Sequence, residues 1–172
     1  MNVNIREALL AENSKAQTEK IVDYVGDDRE RFAELMGLFL GPVYRVSQRA
    51  SSAVSNCIER HPDIVKPYYG KMLVQLERDD AHVAVRRNVV RLLQFVEIPP
   101  RYKGRVFDAC YALLDDPQQP VAVRCFSMSV AANIAKDSPE LMNELKLVAT
   151  KYPQLMTAGV RSRLRRVFKI EA

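Results

Sequence analysis

The chain has 172 residues, a length that supports one domain able to bury about 70% of its unfolded surface. Its 48% hydrophobic and 27% charged residues are those of an ordinary globule, which excludes disordered, collagen-like and disulfide-scaffold classes. The formal net charge of +5 is uneven: residues 1–82 carry 11 Lys/Arg against 13 Asp/Glu, and residues 83–172 carry 15 against 8, so the second half favours an acidic partner.

The opening stretch "MNVNIREALLAENSKAQ" has no basic region followed by an uninterrupted apolar run, so no secretory signal is expected. No apolar run approaches the roughly 20 residues that a bilayer span requires. Spacing predicts helices over 4–12 and 14–25, whose Leu9, Leu10, Ile21, Val22 and Val25 form an apolar face suited to capping or self-association. Further helices are predicted over 28–40 and 43–60. The serines of "SQRASSAVS" (47–55) sit among small apolar neighbours, where they suit tight helix packing.

"HPDI" at 61–64 places Pro62 at the first position of the next helix, where a missing N–H is harmless. That helix is expected over 63–77, and "ERDDAH" (77–82) separates it from the next. Residues 81–96 carry Val85, Val89, Val90, Leu92, Leu93 and Val96 at i, i+4, i+7, i+8 spacing, with polar residues between. "IPPR" and "DSPE" repeat the proline signal at Pro100 and Pro139. Helices are predicted over 100–115, 119–136, 139–151 and 155–169, with "LDDPQQP" (114–120) as another turn. No strand pattern interrupts them, so the fold class is all-α.

"VAVR" occurs at Val83 and again at Val121. The arginines Arg49, Arg86, Arg124 and Arg161 follow one another at close to the length of a helix pair, and valine precedes the last three. Internal periods of this size mark α-solenoids, in which stacked helix pairs bury a continuous core. A guanidinium recurring once per copy is expected to bond chain segments at the repeat junctions through its rigid fork of donors.

The unit resembles a HEAT repeat, whose pattern runs proline, first helix, acidic turn, then Val-Arg early in a second helix. One copy reads Pro62, Asp79-Asp80, Val85-Arg86 and Leu92-Leu93; the next reads Pro100, Asp115-Asp116, Val123-Arg124 and Val130-Ala131. The resemblance implies one armadillo-like α-α superhelix, right-handed, over 1–172. Residues 1–26 would form an N-terminal helical cap, and the repeats would span 28–60, 61–97, 98–136 and 137–170. Family members often carry an Asp six positions before the Arg. Asp80 matches, but Val43, Gln118 and Leu155 occupy the other positions, so a full inter-repeat ladder is not expected.

Chemistry-bearing groups are few. His61 and His82 are isolated, without H-E-x-x-H or a cysteine pair, so neither metal nor cofactor is expected. Asp27-Asp28, Asp79-Asp80 and Asp115-Asp116 fall at helix junctions, where capping accounts for them. Cys57, Cys110 and Cys125 lie in apolar surroundings and read as buried thiols of a reducing compartment, with the cytoplasm as the expected location. No phosphate-loop or nucleophile-elbow motif occurs.

The expected function is therefore a non-catalytic protein-binding scaffold or adaptor. Its concave face would include Arg87, Arg91, Gln94, Ser129, Asn133 and Arg163, and its partner would carry an acidic segment. The alternative is nucleic-acid binding through Arg161, Arg165 and Lys169, which share a helical stripe in "RSRLRRVFK" while Val160, Leu164, Val167 and Phe168 face the core. HEAT-like DNA alkylation repair glycosylases are a remote variant of that alternative, since they typically use Trp in the cleft and this chain has none.

Overall fold

The computed structural model describes residues 3–169. Among them are ten α-helices and two short 3-10 segments, with no strand. In chain order the helices are α1 (Ile5–Ala11), α2 (Lys15–Val25), α3 (Arg29–Phe39), α4 (Tyr44–Arg60), α5 (Tyr69–Glu77), α6 (Val83–Leu93), α7 (Pro100–Asp115), α8 (Val121–Ala135), α9 (Pro139–Thr150) and α10 (Ala158–Phe168). None is long and apolar enough to cross a membrane. The chain divides into two compact units between Asn88 and Val89, a point inside α6.

In the first unit, α4 is the central element, packed by α1, α2 and α3. Its small residues Ala50, Ala53 and Val54 are fully buried, which lets neighbouring backbones come close. Phe32, Leu35, Met36 and Phe39 of α3 fill the space beside it. Ser47 is also buried, and its hydroxyl donates to the Phe39 carbonyl at 2.6 Å while accepting from Asn88 Nδ2 at 3.4 Å. At the far end, Arg60 pairs with both Glu19 and Asp23, one turn apart on α2. Gly26 ends α2 with φ at +52°, a conformation in which a side chain would be strained.

In the second unit, α8 is central and packs against α7, α9 and α10. It is buried nearly all round, with Val123, Met128, Val130 and Ala131 in the core. A helix so enclosed shows little amphipathic contrast, unlike α4 or α6.

Pro62, Pro100 and Pro139 each stand at the start of a helical segment, as their fixed φ favours. The expected helix over 63–77 is instead a 3-10 segment, Pro62–Tyr68, leading into α5. Pro67 lies inside that segment, where its ring and missing N–H oppose an α-helical turn. The helix expected to reach residue 96 ends at Leu93, and the last helix begins at Ala158 after a second 3-10 segment, Pro153–Leu155. Thr157 Oγ1 accepts from the Val160 amide and sets that start.

Candidate functional site

The geometry of the repeated arginines separates scaffold from surface. Arg49 donates through Nη1 to the carbonyls of Leu9 and Leu10, at 2.8 and 2.9 Å, near the end of α1. Arg86 Nη2 donates to the Arg78 carbonyl at 2.6 Å, just past α5. Arg124 Nε donates to the Leu114 carbonyl at 3.0 Å, in the last turn of α7. The last carbonyls of a helix have no partner within it, so each guanidinium satisfies a group that would otherwise need water. Arg161 differs: it is exposed, and its Nε donates to the Met156 carbonyl at 3.0 Å, in the turn before its own helix.

Four of the six paired acids have a partner that accounts for them. Asp28 caps α3 by accepting from the amides of Glu30 and Arg31. Asp80 does not cap α6; it forms a two-point pair with Arg78, at 2.8 and 2.6 Å. The start of α6 is instead met by His82, whose Nδ1 accepts from the Ala84 amide at 3.2 Å. Asp115 pairs with Lys151 at 2.6 Å and Asp116 accepts from the Gln118 amide, so neither caps α8. Among the described residues no group of three His, Cys, Asp or Glu side chains is placed to hold a metal ion.

Four of the polar positions expected on the binding face converge in the second unit. Arg163 donates through Nη1 to Gln94 Oε1 at 2.9 Å and to Ser129 Oγ at 2.8 Å, and its guanidinium lies 5.7 Å from the Phe126 ring centre. Asn133 Nδ2 donates to the Gln94 carbonyl at 3.4 Å. Burial is the main cause that holds the Arg163 pKa below the ordinary arginine value, and the nearby Arg166 charge adds to it. The other two positions lie elsewhere: Arg87 belongs to the first unit, and the Arg91 side chain is exposed and apart from this cluster.

Beside this cluster runs a groove of about 670 Å³, formed by the Gln94–Phe95 turn, α8, α9 and the end of α10. Lys136, Lys146, Arg166 and Lys169 line it, and among the described residues none that lines it is acidic. Ala132, Met142, Val167 and Phe168 supply apolar surface, and Asn133 and Asn143 supply amides. Two expectations change here. Lys169 does not continue the Arg161–Arg165 stripe, because it follows α10 in the left-handed conformation, at φ 50°, and turns into the groove. Val167 and Phe168 are half-buried groove residues, so only Val160 and Leu164 of α10 are core.

Phe95, Lys136, Lys146 and Arg166 were not among the expected site residues. Phe95 had one usable signal, since it is a large apolar side chain outside the stripe running from Val85 to Val96. The three cations had none, because a charge on a solvated helix face looks the same in any setting.

The stacked amphipathic pairs and the arginines tying second helices to carbonyls define an all-helical repeat protein of the α-solenoid class. Residues 5–170 match the family described as HEAT repeat domain, and the chain belongs to that family. HEAT repeats generally serve as protein-interaction scaffolds and are typically non-catalytic. No curated protein and no solved structure matches the chain.

Proposed function

We propose that this chain is a non-catalytic scaffold or adaptor that binds an acidic segment of another protein in the groove of its second unit. The observation that carries the proposal is the groove's charge: Lys136, Lys146, Arg166 and Lys169 face one cleft, and no carboxylate is among its lining residues within the described part of the chain. Grouping like charges costs free energy in the unbound protein, and a complementary anionic partner relieves it. Such attraction between exposed charges weakens as the screening length falls, to about 8 Å at physiological salt.

The test is affinity capture from native lysate with and without nuclease treatment, comparing the natural chain with a Lys146→Glu/Arg166→Glu variant. A protein retained by the first and lost by the second supports the proposal. Identical captured sets, or binding abolished by nuclease alone, overturn it.

A second reading, nucleic-acid binding, draws on one observation. Arg161 and Arg165 lie one turn apart on α10 and both are exposed. Anisotropy of labelled DNA and RNA across a salt series tests it. A steep salt slope that flattens with Arg161→Glu and Arg165→Glu favours this reading, and no binding at low salt ends it.

A further inference from the structure

We infer that the groove takes an amphipathic acidic peptide, one whose apolar side chain packs on Phe95 while its carboxylates meet the surrounding cations. This rests on the protein-binding proposal above and specifies its partner.

Phe95 is 76% exposed, the most of any large apolar side chain among the described residues. A phenyl ring left in water forgoes about 2 kcal/mol of burial, so its position needs a cause. The cause lies in the adjacent residue. Gln94 is tied at three points: Nε2 donates to the Arg91 carbonyl at 3.1 Å, Oε1 accepts from Arg163, and its carbonyl accepts from Asn133. The turn that carries Phe95 is thereby fastened to both α8 and α10. An aromatic ring presented on a fastened turn loses little freedom when a partner covers it, which is the property of an interface anchor.

A second exposed apolar side chain extends the surface. Leu147, 72% exposed, stands one turn along α9 from the groove residue Asn143. Charge completes the pattern. The oxygens that accept from Arg163 are neutral, and among the described residues the four cations of the groove face no carboxylate within it. A purely anionic ligand would leave Phe95 and Met142 wet, and a purely apolar one would leave the cations unanswered. A peptide carrying both kinds of side chain answers both. Single-stranded nucleic acid is disfavoured because it binds on successive aromatic platforms. Here one ring is fully presented, Phe168 is half-buried, and the remaining apolar surface is aliphatic or thioether.

The experiment is fluorescence anisotropy on the full chain with three labelled probes. They are a Glu-rich peptide with Leu at i, i+3 and i+7, a poly-Glu peptide of equal length, and an oligo-dT strand. The Glu/Leu peptide is expected to bind at least about tenfold tighter than poly-Glu. Phe95→Ala should abolish that gap without changing poly-Glu binding, and Phe95→Tyr, which keeps the ring, should preserve it. Because the side chain is exposed, both variants are expected to retain the native far-UV circular dichroism. Equal binding of the two peptides, binding of neither, or a gap that survives Phe95→Ala overturns this inference. Those outcomes leave the capture test above to decide whether a protein is bound at all. Tighter binding of oligo-dT than of either peptide overturns both.

Discussion

Arg124 donates from Nε to the Leu114 carbonyl at 3.0 Å, fastening the second helix of a pair to the end of the first from a position only 2% exposed. Its guanidinium also lies 5.7 Å from the Tyr152 ring centre, so one side chain joins α7, α8 and the turn after α9. Removing it leaves a buried carbonyl without a donor and a cavity beside the ring. Arg124→Ala is therefore expected to cost about 2–4 kcal/mol of unfolding free energy. Arg161→Ala, on an exposed residue of the same unit, should stay within about 0.5 kcal/mol. Urea denaturation of the two variants checks the contrast, and equal losses would remove the distinction between a buried joint and a surface copy.

The buried pair Asn88 and Ser47 makes a similar link within the first unit, between α6 and α4. Asn88 is 3% exposed and Ser47 is fully buried, so neither can turn to water if its partner is lost. Asn88→Ala is expected to cost about 1–3 kcal/mol, and Ser47→Ala a similar amount. The double variant should cost less than the two singles together, because each single already breaks the shared bond. A double-mutant cycle by urea denaturation measures that coupling, and strict additivity would show that the 3.4 Å contact contributes nothing.

The repeat architecture could be read ahead because its signals are local. Apolar spacing in 85–96, proline at the first helical position, and Val-Arg once per pair are all set by residues close in sequence. The 3-10 start at Pro62–Tyr68 also has a local origin, since the Pro67 ring opposes an α-helical turn before it. Ser129 and Asn133 stand one turn apart on α8, a spacing visible in the sequence, and Arg163 of α10 and Gln94 of the turn after α6 meet them there. The groove itself was not legible. It depends on where the ends of α8, α9 and α10 arrive, and on the left-handed turn at Lys169 that takes a lysine off its helical stripe. Such placements are tertiary facts with no local pattern to announce them.

Asp28 gives an acid-side prediction. Its carboxyl is held below the ordinary 3.8, chiefly by the hydrogen bond from the Arg31 amide. The Glu30 amide and the Arg31 charge act in the same direction, against the opposing effect of burial. A carboxyl whose folded value is depressed stabilises the protein above its unfolded value and loses that contribution as pH falls through the folded value. Asp28→Asn keeps an oxygen for capping but does not titrate. The Tm advantage of the natural chain over this variant should be constant at neutral pH and shrink below pH 3.8. Thermal melts across that range decide it, and a difference independent of pH would refute the assignment.

The cysteines give the opposite sign at alkaline pH. Burial pushes the Cys110 thiol up to about 12 and Cys57 up to about 11, from an ordinary 9.0, and it raises Cys125 as well. At about pH 8 the thiolate fraction at Cys110 falls from roughly one in ten to roughly one in ten thousand, and the thiolate is the nucleophile. The Cys110 thiol of the native protein should therefore alkylate with iodoacetamide at under about one hundredth of its rate in the urea-unfolded chain. Because the folded thiols hold their protons to higher pH, their contribution to stability is complete below 9.0 and is lost as pH rises from there through about 11 and 12. Cys110→Ala and Cys57→Ala should each flatten the fall in Tm above pH 9, at the cost of a small cavity. If the natural chain and both variants lose stability in parallel across that window, the thiols are not its source.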